Sequence, residues 1–279
     1  MESKQLKQIS IGWRNLGESL EIGWNKLLDA TSDDPMLLWV FGSTIVVFTT
    51  YWLYAAFFTI MDITNRPTFL RKYKIQPGQN EPVDQKRLIN AIKVVLINQT
   101  VISTPIFYLL YKSVQSYQHL IPVRELPTFK KFVFDMAVIT ILEEFMFYYA
   151  HRLLHHKSIY KYVHKKHHEW TAPIAAITFY CNPIEHIASN LLPVVVAIGL
   201  LKSHISTAWL FTALAIINAM SDHTGYSFPF SAKSVRFHDL HHEKFNYNYG
   251  VFGWLDKLHG TYRESCPSKL GAKFKKHKQ

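Results

Sequence analysis

Residues 36–61 read MLLWVFGSTIVVFTTYWLYAAFFTIM and contain no charged side chain. As a helix rising 1.5 Å per residue this run is about 38 Å long, enough to cross a bilayer core of ~30 Å with some tilt. Helices of soluble proteins rarely stay free of charge for so long, so the run is expected to span a membrane. Trp39, Tyr51, Trp52 and Tyr54 stand where interfacial anchors stand, although core aromatics would look the same.

Three further apolar stretches follow. Residues 94–111 are uncharged, whereas 132–150 carries Asp135, Glu143 and Glu144. Residues 191–220 are broken by Lys202-Ser203-His204, which reads as the turn of a helical hairpin. Before the first span, Ile9, Trp13, Leu16, Leu20, Trp24 and Leu27 recur at helical spacing and predict an amphipathic helix over 6–28. The expected fold is therefore an all-α integral membrane protein. Its divisions are an amphipathic segment 1–35, spans and polar connectors 36–131, a catalytic region 132–263 with hairpin 191–220, and a basic tail 264–279.

The first apolar run starts too late for a cleavable signal peptide, so the first span is expected to act as a signal-anchor. The two cysteines, Cys181 and Cys266, imply neither a disulfide framework nor a cysteine zinc site. The net charge of +11 fits segments beside anionic lipid, and no nucleic-acid recognition motif accompanies it. Ten Lys/Arg follow residue 228, which puts that end on the cytosolic side, and the hairpin returns residues 151–190 to the same side. The side of the N-terminus stays open. Asn98-Gln99-Thr100 matches a glycosylation sequon but sits inside an apolar run, as a chance match would.

Of the 15 histidines, 12 fall between residues 151 and 242. They form three clusters: His151-Arg-Leu-Leu-His155-His156, His164-Lys-Lys-His167-His168 and His238-Asp-Leu-His241-His242. Residues at i, i+3 and i+4 share a helix face, so each cluster can aim two or three imidazoles at one point. Neutral imidazole binds iron, copper, nickel and zinc. A structural zinc takes four ligands, and eight clustered histidines (His156 set aside) are too many for one tetrahedral ion, so they suit two metals. Glu144 shares a helix face with Tyr148, His151 and His155, which makes it a candidate for orienting a ligand. Asp239 is either similar or merely an exposed acid. His186 and His223 flank the hairpin where they can complete the coordination or serve structure alone. His119, His204, His259 and His277 read as structural.

These boxes, with His223-Thr-Gly-Tyr226 and the flanking Asn248-Tyr249-Gly250, resemble the fatty acid hydroxylase/sterol desaturase superfamily, within it most a group close to the sterol C4-methyl oxidases. The resemblance covers roughly residues 36–263 and extends to Asn80-Glu81-Pro82-Val83-Asp84, Glu125-Leu126-Pro127-Thr128-Phe129 and Trp254–Thr261. It implies a cytosolic dimetal centre of two iron ions on a helical membrane fold. Dioxygen would be used to oxidise a lipid, a sterol above all, in the endoplasmic reticulum membrane. Electrons would come from NAD(P)H through cytochrome b5 and its reductase. The implied ligands are His151, His155, His164, His167, His168, His223, His238, His241 and His242. Members commonly carry a histidine immediately before the Pro-x-Glu that precedes the hairpin. Here Asn182 stands there, so Asn182 binds through its oxygen, His186 substitutes, or that ligand is missing.

Attack on an unactivated C–H bond needs a redox-active metal, which zinc is not. No Gly-x-Gly-x-x-Gly motif is present, so reducing equivalents must come from outside. The basic face suits an acidic carrier. The alternatives are a fatty acid or sphingolipid hydroxylase, or a non-catalytic metal-binding membrane protein. The terminal Lys275-Lys-His277-Lys-Gln279 is similar to a basic retrieval signal, as any basic tail would be.

Overall fold

The computed structural model describes residues 4–116, 122–229 and 232–264, and among them every regular element is a helix. The basic tail, with Cys266 and His277, and His119 lie outside the described residues. We number eight helices. Helix α1 is Lys4–Thr31 and α2 is Leu37–Thr64. Helix α3 is Gln85–Gln115 and α4 is Phe129–Leu154. The hairpin comprises α5, Pro183–Leu201, and α6, Ile205–Asp222, followed by α7, Ala232–Lys244, and the short α8, Trp254–Leu258.

Four of these, α2, α3, α5 and α6, are long and apolar enough to cross a membrane. Together with the family evidence below, they make this a multi-pass membrane protein. Helix α4 falls outside that set because charged residues, among them Asp135, Glu143 and Glu144, interrupt its apolar run, and two of these carboxylates are used internally. Buried Asp135 takes Lys131 Nζ at 2.6 Å, and buried Glu144 faces a later loop. The hairpin begins at Pro183 rather than 191, and its turn is made by Lys202 at φ 50° and by His204, which N-caps α6. His204 also donates from Nε2 to the Val123 carbonyl at 3.1 Å, a structural role. Asn98 of the sequon is buried, donating to the Phe179 and Cys181 carbonyls.

Helices α2 to α6 run up and down, so their ends sort into two levels. At one level Trp24 Nε1 donates to the Val123 carbonyl, Arg124 bridges Asp29 and Asp33, and Lys131 reaches the Leu201 carbonyl. At the other level buried Lys74 pairs with buried Asp62 at 3.1 Å, and Gln76 meets Asp239. Arg87 stacks on Trp170 at 3.8 Å from the ring centroid. The C-terminal ends of α2, α4 and α6 and the N-terminal ends of α3 and α5 share this second level. It is where the histidine boxes must meet.

Three π-helical turns interrupt the spans: Leu37–Gly42 in α2, Asn98–Ile102 in α3 and His186–Leu191 in α5. Such turns insert an extra residue and re-aim the side chains after it, and they recur at functional sites. All three adjoin one cavity of about 410 Å³ whose walls include Trp39, Ser103 and His186. Its far end is apolar, with Leu110, Ile198 and Phe211; its near end holds Asp222, His223, His238 and Gly250–Phe252.

Candidate metal centre

Nine histidines converge at the second level. His151 and His155 end α4, and His164, His167 and His168 lie in the turns that follow. His223 caps α6, while His238, His241 and His242 sit on α7. They sort into two groups, His151, His155, His164, His168 and His241 in one and His167, His223, His238 and His242 in the other. Within each group the candidate ligand atoms lie within 4.8 Å of one another. Neighbouring His168 and His242, one from each group, have ring centroids 4.8 Å apart, so the groups are adjacent.

The chemistry of this arrangement can be read from its protons. Each neutral imidazole has one N–H and one lone pair. His151 Nδ1 donates to the Tyr249 carbonyl, His241 Nδ1 to the Tyr247 carbonyl and His223 Nδ1 to the Ala219 carbonyl, each at 2.7 Å. Their Nε2 atoms therefore present lone pairs inward. His168 Nε2 lies 3.0–3.2 Å from Nε2 of His164, His155 and His241. His223 Nε2 lies 3.1–3.3 Å from Nε2 of His167, His238 and His242. One proton can satisfy only one such contact, so lone pairs meet lone pairs unless a cation lies between them. A metal–nitrogen distance of about 2.1 Å gives coordination edges of about 3.0 Å for octahedral and about 3.4 Å for tetrahedral geometry. The nitrogen spacing fits metal ions.

Burial is the leading cause in depressing every one of these nine histidines, which keeps them neutral and ready to coordinate. His151 and His223 fall to about 4 and His155 to about 2. Mutual repulsion among the rings adds to the effect at His164, His168 and His242.

His186 is set apart from both groups. Asn190 Nδ2 donates to its Nδ1 at 3.2 Å and its Nε2 meets Ser103 Oγ at 2.9 Å, so both nitrogens are engaged. Asn182 is also elsewhere, its side chain capping the N-terminus of α5 by accepting from Ile184 N. Glu144 touches no imidazole. It accepts from Val251 N at 2.8 Å and Phe252 N at 3.3 Å, and so holds the loop whose Tyr249 carbonyl orients His151. Asp239 accepts from Gln76 Nε2 at 3.1–3.2 Å and ties α7 to the 62–84 connector.

Two supports were not legible by spacing. Buried Glu185 lies 2.9 Å from His164 Nδ1 and 4.0 Å from His167 Nδ1, so one carboxylate backs a histidine of each group. It sits on the Pro-x-Glu turn, 17 residues beyond the second box, and only the resemblance marks that turn. The second support is Asp256, which accepts from Tyr249 N and Gly250 N, both at 2.8 Å. Glycine is required at 250, because a Cβ there would stand 2.7 Å from Glu144 Oε1 and 3.0 Å from Asp256 Oδ2.

Comparison with known proteins agrees with this geometry. The model of the fatty acid hydroxylase family matches residues 136–261, which contain every histidine of both groups. Human fatty acid hydroxylase domain-containing protein 2 is 44% identical over 250 residues, 89% of this chain and 74% of that one. Fatty acid hydroxylase ahd1 of Mycosarcoma maydis is 37% identical over 239 residues, 85% of this chain and 60% of that protein. Methylsterol monooxygenase 1 of Gallus gallus is 28% identical over 254 residues, 88% and 83% of the two chains. No solved structure matches. With a relative so similar over most of both lengths, and with the matched region enclosing the whole histidine cage, the chain belongs to the fatty acid hydroxylase family.

Proposed function

We propose that the chain is an oxygen-dependent lipid monooxygenase with two iron ions, held by the five-histidine and four-histidine groups. Bound iron would supply the dioxygen chemistry that attacks an unactivated C–H bond. The observation that carries the reading is the cavity. Its wall includes His223 and His238 of the four-histidine group and, among the histidines of the cage, no member of the five-histidine group. Catalytic metal sites keep an open position, and the smaller ligand set is the one that faces the lipid-sized space.

The protein's own part is positional. Carbonyls of Tyr249, Tyr247 and Ala219 fix three imidazoles in one tautomer, and Glu185 backs one from each group. The apolar walls exclude water from the lipid carbon beside His223 and His238. Exposed Arg152, Lys157, Lys161 and Lys165 surround the metal end and suit an acidic electron carrier such as cytochrome b5, fed by NAD(P)H through its reductase. On this reading the metal end faces the cytosol and the protein lies in the endoplasmic reticulum membrane.

A sterol methyl group at C4 is the proposed target, on the strength of the methylsterol monooxygenases among the relatives. The name of the more similar ahd1 favours the second reading, a fatty acid hydroxylase. Lipid profiling after deletion separates them. Accumulated 4-methyl sterols support the first, and lost 2-hydroxylated acyl chains support the second. Zinc-only protein that shows no oxygen-dependent turnover after iron loading would sink both.

A further inference from the structure

A cavity for a bare hydrocarbon chain needs no polar wall, yet this one carries a polar belt midway along it. On α5 the π-turn His186–Leu191 brings His186, Ser189 and Asn190 to the wall, and Ser103 joins them from α3 just after its own π-turn. Helix α4 packs against that turn and presents Glu143 to the same space. Buried or half-buried polar groups are costly in an apolar setting unless they find a partner.

The belt's internal hydrogen bonds show what is left over. Asn190 Nδ2 donates to His186 Nδ1, so the remaining ring N–H of His186 donates to Ser103 Oγ, whose own proton goes to the Asn98 carbonyl at 2.9 Å. His186 and Ser103 are thereby satisfied and stiffen the wall. Asn190 Oδ1 remains as an acceptor, since its amide nitrogen is already aimed at the ring. Ser189 Oγ is buried with no partner among the described residues. The Glu143 carboxyl has none either; Glu144, next to it, turns the other way to the 251–252 backbone.

We propose that Asn190 and Glu143 are a recognition subsite for a hydroxyl group carried on the lipid that enters this cavity. The inference deepens the monooxygenase reading by naming the substrate class, an amphipathic lipid whose hydroxyl is taken inside rather than left at the membrane surface. A hydroxyl is both donor and acceptor, which matches an accepting amide oxygen on α5 and a protonated, donating carboxyl on α4. A site built to bind a hydroxyl rejects the analogue lacking it, because its own polar groups are then left bare.

Binding, not turnover, tests this. Full-length protein in detergent is offered cholesterol against cholest-5-ene, and separately 1-octadecanol against octadecane, with competition binding as the readout. Metal content is measured alongside. The expected result is at least a tenfold preference for the alcohol in one pair. Glu143→Leu and Asn190→Ala should each bring that ratio towards one with metal content and hydrocarbon binding unchanged, while Glu143→Gln should retain it. A preference confined to cholesterol places the hydroxyl on a ring lipid, and one shown by octadecanol places it on a chain lipid; both support the subsite. Equal affinities in the unmodified protein, no binding of any probe, or a preference that survives both Glu143→Leu and Asn190→Ala would overturn it. If the alcohol preference is found but the iron-loaded protein never consumes oxygen, the enzyme reading fails and the subsite stands.

Discussion

At the scale of single residues, the supports of the cage make the sharpest predictions. Glu185 stands 2.9 Å behind His164 and 4.0 Å from His167, so Glu185→Gln replaces the carboxyl that stands behind a histidine of each group. Metal affinity is expected to fall roughly 10–100-fold, read by competition with a chelator and elemental analysis. Loss of one metal equivalent, with the other held as tightly as before, would show that Glu185 serves a single group. Gly250→Ala puts a methyl group against Glu144 Oε1 and Asp256 Oδ2. A loss of about 1–3 kcal/mol is expected from the overpacking, seen as a lower unfolding midpoint in detergent. Eight of the nine histidines were legible, because a three- or four-residue spacing is itself geometry. His223 stands alone in the chain and needed the resemblance or the fold. Glu185 and Asp256 were hidden for a different reason: a group that supports a ligand is chosen by three-dimensional reach, and no periodicity constrains where it falls.

At the scale of elements, apolar length alone located α2, α3 and the hairpin, since a membrane leaves a helix few alternatives. The π-turns were not legible. No residue type marks them, and what they share is the cavity they adjoin. Helix α4 shows the converse, for its three carboxylates looked like interruptions of a span; Asp135 and Glu144 turned out to be buried ties, and Glu143 faces the cavity. Packing between α2 and α6 depends on Gly42, where a Cβ would run into the indole of Trp209. Trp209 cannot easily yield, because its Nε1 donates to Ser43 Oγ at 3.1 Å. Gly42→Ala is therefore expected to destabilise the protein by about 1–3 kcal/mol, and Gly42→Ala combined with Trp209→Phe to recover part of it. Additive losses in that double-mutant cycle would show that the two side chains do not meet.

At the scale of the whole molecule, nine neutral imidazoles in one buried cage tie stability to pH. In the unfolded chain each histidine returns to about 6.5, whereas in the metal-free folded state His151 and His223 take up protons only near 4. Between those values the unfolded state binds more protons, so stability falls as pH falls from about 6.5 to about 4. Above pH 7 these groups are neutral in both states and contribute no slope. One such group gives up to about 1.4 kcal/mol per pH unit, and several together should exceed it. Thermal unfolding of chelator-treated protein across pH 4–8 checks this, and a flat profile below pH 6 would contradict the buried, neutral cage.

The way the two histidine groups share the third box also bears on biosynthesis. His241 belongs to one group, and His238 and His242 belong to the other. If the two groups hold two metal ions as proposed, neither site is complete until the chain has been made as far as residues 241 and 242, when all four candidate spans are already behind it. On the two-metal reading, metal is taken up only after the spans have been made. A nascent chain interrupted before His241 would carry all four candidate spans with both histidine groups incomplete.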